Sequence, residues 1–110
     1  MGAGRDMKHR CRFLMVPLNN QGIHDCNYGR VNSKDLVTYE LSEDEFELLY
    51  RTVFPVINDR CALLIDDYES EEISAQNIMC CLDTIKQVEG VFKTACLKAV
   101  EQGTFVGLDF

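Results

Sequence analysis

The arrangement of apolar and polar residues along the chain predicts three β-strands. Residues 11–18 (CRFLMVPL) form a short run with apolar side chains on both faces, which is typical of a central strand. Residues 36–41 alternate between apolar and polar positions, as a half-buried strand does. Residues 104–110 predict a third strand, and the side chains on its apolar face are Val106, Leu108 and Phe110.

The strongest local signal marks the start of a helix after the second strand. Ser42 and Glu45 have the spacing of a capping box, and Leu41 and Phe46 stand at the positions of a hydrophobic staple. Apolar residues then recur with helical spacing at Phe46, Leu49, Tyr50, Val53 and Phe54. Pro55 removes a backbone donor, so we expect a break there, followed by more helix.

Two further helices are predicted in the second half of the chain. The first carries an apolar stripe of Ile78, Cys81, Leu82, Ile85 and Val88. Ser70 or Ser74 is its expected N-cap, and Gly90 is expected to take the left-handed position just after its end. The last helix covers about residues 91–102 and is predicted to end at Gly103.

The order of these elements predicts the fold class. Residues 23–35 show no periodicity and predict a loop that holds His24, Asp25 and Tyr28. Helices grouped between strands indicate an α+β fold: a small, mainly antiparallel sheet of about three strands, including the N- and C-terminal ones, with about three helices packed on one face. We expect residues 1–8 to be a flexible leader and residues 9–110 to be a single domain.

The chain is acidic, and this limits its partners. It has 18 acidic and 11 basic side chains, with a formal net charge of −7. Such an excess repels phosphate backbones and argues against direct nucleic-acid binding. No apolar run approaches the roughly 18 residues that span a bilayer, and no secretory signal is recognisable, so we expect a cytoplasmic location. There the six cysteines are expected to be reduced and to act as small core hydrophobes.

Motifs of catalysis and cofactor binding are not found. The seven glycines are scattered, whereas a nucleotide-binding loop needs them clustered at a strand-to-helix turn. The two histidines, His9 and His24, lie in the least regular part of the sequence, and the spacing of a nucleophile elbow is absent. We therefore expect neither an enzyme nor a bound cofactor.

One constellation has the chemistry of a zinc site. His9 with Cys11, and His24 with Cys26, supply two nitrogen and two sulfur ligands, and residues two apart on a strand share a face. However, the usual spacing of two to four intervening residues is missing. The favoured interpretation is a buried Cys11 and a loop histidine at position 24, with a small metal-binding or redox protein as the alternative.

The densest charge is the acidic tract, residues 66–72 (DDYESEE). It does not fit an EF-hand, because with Asp66 as position 1 Glu71 falls where the turn glycine belongs. Acid–base catalysis would need buried carboxylates, and so charged a stretch is solvated. The acids could favour a helix N-terminus or form a docking surface for a Lys- or Arg-rich partner. The docking hypothesis assigns partner binding to Asp66, Asp67, Tyr68, Glu69, Glu71 and Glu72, together with Glu43, Asp44 and Glu47.

Three segments carry a resemblance to a known class of proteins. They are YELSEDEF at residues 39–46, LLIDDYESEEI at 63–73 and GTFVGLDF at 103–110. With its size, acidity and α+β order, the chain resembles the small cytoplasmic immunity proteins of bacterial polymorphic-toxin and contact-dependent inhibition systems. The resemblance implies a stoichiometric inhibitor that binds a toxic domain, often a basic nuclease, and has no catalytic residues. A regulatory or adaptor subunit is an alternative that differs only in its partner.

Overall fold

The computed structural model of the chain describes residues 12–30, 32–65 and 71–110. The strands are β1 (Arg12–Pro17), β2 (Leu36–Leu41), β3 (Glu71–Ser74) and β4 (Phe105–Asp109). The helices are α1 (Asn20–Asn27), α2 (Glu43–Thr52), α3 (Phe54–Cys61), α4 (Ala75–Cys80), α5 (Leu82–Ile85) and α6 (Val91–Gln102). All neighbouring strands are antiparallel, in the order β2-β1-β4-β3.

The α+β class, the antiparallel sheet and the central position of the first strand are confirmed. The counts differ, because the described residues form four strands instead of about three and six helices instead of about three. Two elements were not predicted: β3, which extends the sheet, and α1, which packs on it. Both bear on the candidate functional site.

Helix α1 lies in a segment that was predicted to be a loop. Its N-cap is Asn19, whose side-chain oxygen accepts the N–H of Gly22 at 2.9 Å. The helix buries Gly22 and Asp25 instead of a stripe of large apolar side chains, so the sequence shows no helical period. A Cβ on Gly22 would overlap the carbonyl oxygen of Asp35, and glycine thus permits the close approach of this helix to the chain beside it.

Strand β3 includes the end of the acidic tract, where no strand was predicted. Ile73 is its one fully buried residue, and it pairs with Val106 of β4. A single apolar residue between acids and a serine gives no alternating pattern, so this strand is specified by its pairing with β4. Residues 66–70 of the tract, like the predicted leader at 1–8, lie outside the described residues.

One face of the sheet carries the main core. Because side chains alternate along a strand, Leu14 and Val16 of β1 share this face with Val106 and Leu108 of β4, and all four are buried. Helix α6 packs across it with Phe92, Ala95, Cys96 and Ala99. A cluster of rings, with centroids 5.2 to 6.2 Å apart, completes the core and comprises Phe46, Phe54, Phe92 and Phe110.

The opposite face of the sheet is covered only in part. Met15, Leu36 and Phe105 are buried on this side but do not belong to the main core cluster. Helix α1 packs here against β1 and β2, and the Sγ of Cys26 lies within 3.5 Å of the place where a Cβ on Gly107 would be. The connection from β1 to β2 therefore passes over the second face, and the helices are not confined to one face as predicted.

Several local signals act as predicted. The Oγ of Ser42 accepts the N–H of Glu45 at 3.1 Å at the start of α2. Helices α2 and α3 are separated at Val53, just before Pro55. Gly103 ends α6 with a left-handed φ of 70°. These features depend on residues close in sequence, which is why the sequence alone reveals them.

The helices before α6 differ from the prediction. The stripe from Ile78 onward forms two short helices, α4 and α5, separated at Cys81. Ser74 is the N-cap of α4, as one of the two candidates. Gly90, with a φ of 132°, does not end the preceding helix, which stops at Ile85, and is instead the N-cap of α6.

Glu45 joins the start of α6 to α2. Its carboxylate accepts the N–H groups of Val91 at 3.2 Å and of Phe92 at 2.9 Å, so the side chain caps a helix 46 residues away. The N-terminal N–H groups of a helix have no partners inside the helix, and a carboxylate also suits the positive end of its dipole. A Cβ on Gly90 would overlap this carboxylate, and the φ of 132° at Gly90 also disfavours any residue with a side chain, so both features favour glycine at that position.

Glu45→Ala is expected to lower the free energy of unfolding by about 1–2 kcal/mol, because two N–H groups lose a charged acceptor. Gly90→Ala should also destabilise, and the double variant should be less destabilised than the sum of the two, because removing the carboxylate frees the space for the Cβ. Urea unfolding measures all three. Glu47→Ala, an exposed acid on the same helix, is the matched control. Equal losses for Glu45→Ala and Glu47→Ala would contradict the capping role.

Candidate functional site

Among the described residues, the part of the second sheet face that α1 does not cover carries acids from three strands. Phe13 of β1 pairs with Glu40 of β2 on one side and with Asp109 of β4 on the other. In the next row of the same face, Met15 and Glu72 flank Gly107. We call Phe13, Glu40, Glu72 and Asp109 the acidic face. Its three carboxylate residues are exposed and Phe13 is half-buried.

A groove of about 530 Å³ runs beside the acidic face, between α1 and the strands β3 and β4. Met15 and Gly107 form its floor, Cys26 and Asn27 lie on the α1 side, and its acidic lining includes Glu72 and Asp109. Gly107 has no positive φ, so its backbone does not require glycine, but a side chain there would project toward Cys26. The missing side chain at Gly107 therefore gives the groove part of its depth.

The pKa of the Cys26 thiol reflects the burial and the negative charge of the groove. Burial raises the pKa of Cys26 above its ordinary value, and the negative charges of Glu72 and Asp109 raise it further. The thiol is thus protonated at neutral pH and is a poor nucleophile. The same field that disfavours a thiolate favours a cation, so the arrangement is chemically suited to holding a Lys or Arg side chain.

The structure divides the residues that the sequence assigns to partner binding. Asp66, Asp67, Tyr68 and Glu69 lie outside the described residues, whereas Glu72 belongs to the acidic face. Glu71 points to the other side of β3, and its carboxylate accepts the N–H groups of Leu64 at 3.4 Å and of Glu72 at 3.3 Å. Glu71 therefore has a local structural role, although it also borders the groove.

The predicted acids of α2 are also not equivalent. Glu43 is half-buried and forms an ion pair with Arg12, whose guanidinium stacks 3.8 Å from the centroid of the Phe46 ring. A charge held in this way is less available to a partner. Glu47 is exposed and lies 3.8 Å from Arg51, and Asp44 is exposed in the first turn. The structure thus leaves Asp44 and Glu47 at the surface but ties Glu43 to the core.

The described half of the predicted zinc constellation does not converge. His24 and Cys26 lie on α1, where residues two apart do not share a face as they would on a strand. The His24 ring packs on Tyr28 at 4.6 Å between centroids, whereas Cys26 points to the sheet. No group of three or more metal-ligating side chains occurs within residues 12–30, 32–65 and 71–110. His9 and Cys11 lie outside those ranges.

Asp25 is a buried carboxylate that the sequence placed in a loop. It accepts hydrogen bonds from Ser33 Oγ at 2.6 Å and from Gln21 Nε2 at 2.9 Å, and Arg30 lies 3.9 Å away. These groups, the Ser33 hydroxyl foremost, hold the pKa of Asp25 below its ordinary value. An ionised carboxylate with its oxygens occupied is not an acid–base catalyst, and its role is to fasten α1 to the following turn.

Phe13, Glu40 and Asp109 are the residues of the acidic face that sequence analysis missed. The sequence correctly predicts the strand on which each of them lies. These three residues are neighbours because of the register between β1, β2 and β4. That register, and the face on which the helices pack, cannot be read from the local sequence.

Comparison with known proteins found no matching protein family, no matching curated protein and no matching solved structure. In the part of the chain that the structure describes, no helix has the length and apolar character needed to cross a membrane.

Asp25→Asn is expected to destabilise the protein at pH 7 but much less at low pH. A carboxylate whose folded pKa is lowered stabilises the fold above its ordinary pKa, and this stabilisation is lost as the pH falls through the folded value. Thermal unfolding of the wild type and the variant should therefore differ most at neutral pH, with the gap closing below about pH 4. The exposed Asp59→Asn is the control. A gap that stays constant down to pH 2 would refute the assignment.

Proposed function

We propose that this protein is a stoichiometric inhibitor, of the immunity-protein type, that binds and neutralises a basic toxin domain in the cytoplasm. The observation that carries the proposal is the acidic face, where Glu40 and Asp109 flank the half-buried ring of Phe13 and Glu72 lies in the next row of the same sheet face. We further propose that the toxin is a nuclease, since a cleft that binds nucleic acid is cationic and complements this surface.

Three features of the acidic face support binding in preference to catalysis. Its carboxylates are exposed, and a solvated carboxylate is not tuned for acid–base work. The neighbouring Cys26 is kept protonated. Phe13 lies between two acids, so a Lys or Arg side chain of a partner can stack on the ring while it pairs with a carboxylate.

The negative charge of the acidic face also favours rapid association with a basic partner. Complementary charge raises the rate of association more than it slows dissociation, which suits an inhibitor that must capture a toxin before it acts. The acidic tract at residues 66–72 enters the sheet through β3 and ends in Glu72, so the tract and the acidic face are continuous in sequence. Both contribute, in this proposal, to one negative surface.

Neutralising the acidic face, by Glu40→Gln, Glu72→Gln and Asp109→Asn together, should slow association with the basic domain encoded by the adjacent open reading frame. We expect at least about a tenfold loss in association rate at low ionic strength, shrinking as salt is added. Stopped-flow or biosensor kinetics with that purified domain measure it.

The matched control carries the same change in net charge elsewhere on the surface: Asp59→Asn, Glu89→Gln and Glu101→Gln, all exposed. If both triple variants slow association equally, net charge and not the acidic face is responsible. If the neighbouring gene encodes no domain that forms a 1:1 complex with this protein, the proposed function itself is wrong.

The acidic tract is tested separately with Asp66→Asn, Asp67→Asn, Glu69→Gln and Glu71→Gln. This variant should also slow association, and protection of cells that express the toxin should weaken. Combined with the acidic-face substitutions, its effect on the logarithm of the rate should add, because the two sets act through one long-range field. Unchanged kinetics and protection would remove the tract from the docking surface and leave the acidic face alone.

A further inference from the structure

Two cysteines from different helices are in contact on the core side of the fold. The Sγ atoms of Cys61 and Cys81 are 3.7 Å apart, which is van der Waals contact between sulfurs. Cys61 is the last residue of α3, and Cys81 separates α4 from α5. The thiol of Cys61 also lies 3.9 Å from the carbonyl oxygen of Asn77.

The surroundings hold the two thiols together. Arg60, next to Cys61, donates to Asp83 at 2.9 Å and to the carbonyl oxygen of Cys80 at 3.3 Å, so α3 is fastened to both α4 and α5. A disulfide bond is about 2.05 Å long, so the sulfurs need to approach by less than the length of one bond. Each cysteine lies at a helix end, where the backbone adjusts more readily than in the interior of a helix.

We propose that Cys61 and Cys81 form an oxidisable pair, which a low-molecular-weight disulfide such as oxidised glutathione converts into an intramolecular disulfide. The Cys61 thiolate attacks one glutathione sulfur, which forms a mixed disulfide and releases glutathione. The Cys81 thiolate then attacks the Sγ of Cys61, displaces the second glutathione and closes the bond. Two protein thiols are oxidised, and one oxidised glutathione is reduced to two glutathione molecules.

The order of the two steps follows from exposure. Cys61 is half-buried and can be reached by a small disulfide, whereas Cys81 is fully buried. Burial, with the neighbouring Cys61 thiol, raises the pKa of Cys81 to about 11, so Cys81 is the poorer nucleophile toward a reagent in solution. Once Cys61 carries glutathione, Cys81 reacts as a neighbour, where proximity offsets its low thiolate fraction.

Cys80 is the principal competitor, because it is exposed and adjacent to Cys81. Cys96 is fully buried, and burial raises its pKa. The proposal therefore predicts which sulfur pairs with Cys61, and Cys80 supplies the natural control. It does not depend on the proposed function, because it concerns only the thiols of the unbound protein.

The test uses the full chain, reduced and then incubated with oxidised glutathione at mildly alkaline pH. Intact-mass analysis should show the loss of two hydrogen atoms beside any glutathione adduct on an exposed thiol such as Cys80, and peptide mapping should show no glutathione retained on Cys61. No Lys or Arg lies between Cys61 and Cys81, so trypsin leaves both on one peptide, whereas cleavage after Glu72 separates them. The cross-linked fragments should be those that contain Cys61 and residues 73–89. The melting temperature should rise by roughly 5 °C or more, because the bond closes a loop in the unfolded chain.

Variants identify the sulfurs. Cys80→Ser should still cross-link and show the same rise in melting temperature. Cys61→Ser and Cys81→Ser should not cross-link. Cys61→Ser is the milder of these two variants, because the hydroxyl is of similar size and the position is partly exposed. A cross-link that disappears in Cys80→Ser would overturn the assignment. A stable glutathione adduct on Cys61 in the wild type, with no loss of two hydrogens, would show that Cys81 does not act as the resolving thiol and would overturn it as well.

Discussion

The structure depends on how the central strands β1 and β4 bury their two faces. Both strands carry apolar side chains on each side, so the chain needs cover above and below the sheet. Helix α6, together with α2 and α3, fills the first side with the main core. Within residues 12–30, 32–65 and 71–110, the short α1 is the helix that packs on the second side, and it covers Met15, Leu36 and Phe105 but not the row of Phe13. The acidic face is the part of this side that the described elements do not cover.

Features set by neighbours in sequence were predictable, and features set by tertiary contact were not. Ser42 and Gly103 act through residues within a single turn, and the sequence shows their roles. Glu45 was expected to complete a local capping box but caps α6, because that helix starts beside it in space. The sequence predicts Gly90 at the end of a helix, but its φ of 132° and the Glu45 carboxylate beside it belong to the start of α6.

The elements that sequence analysis missed bury little apolar surface of their own. Helix α1 turns Gly22 and Asp25 inward, and β3 contributes Ile73 alone, so neither produces a hydrophobic period. The acidic face was missed on related grounds. Alternation placed Glu40 and Asp109 on their strands, but a pairing register is needed to set both beside Phe13. Acidity was predictable from composition, whereas the placement of Glu40 and Asp109 on either side of Phe13 was not.

One segment of the chain connects the thiol pair to the acidic face. The segment between Cys61 and Cys81 includes the acidic tract and β3, so it delivers Glu72 to the sheet. Phe13, Glu40 and Asp109 lie on strands outside that segment and are held by the central pairing of β1. The proposed bond between the two sulfurs would close a loop of the chain that contains Glu72 but none of the other residues of the acidic face.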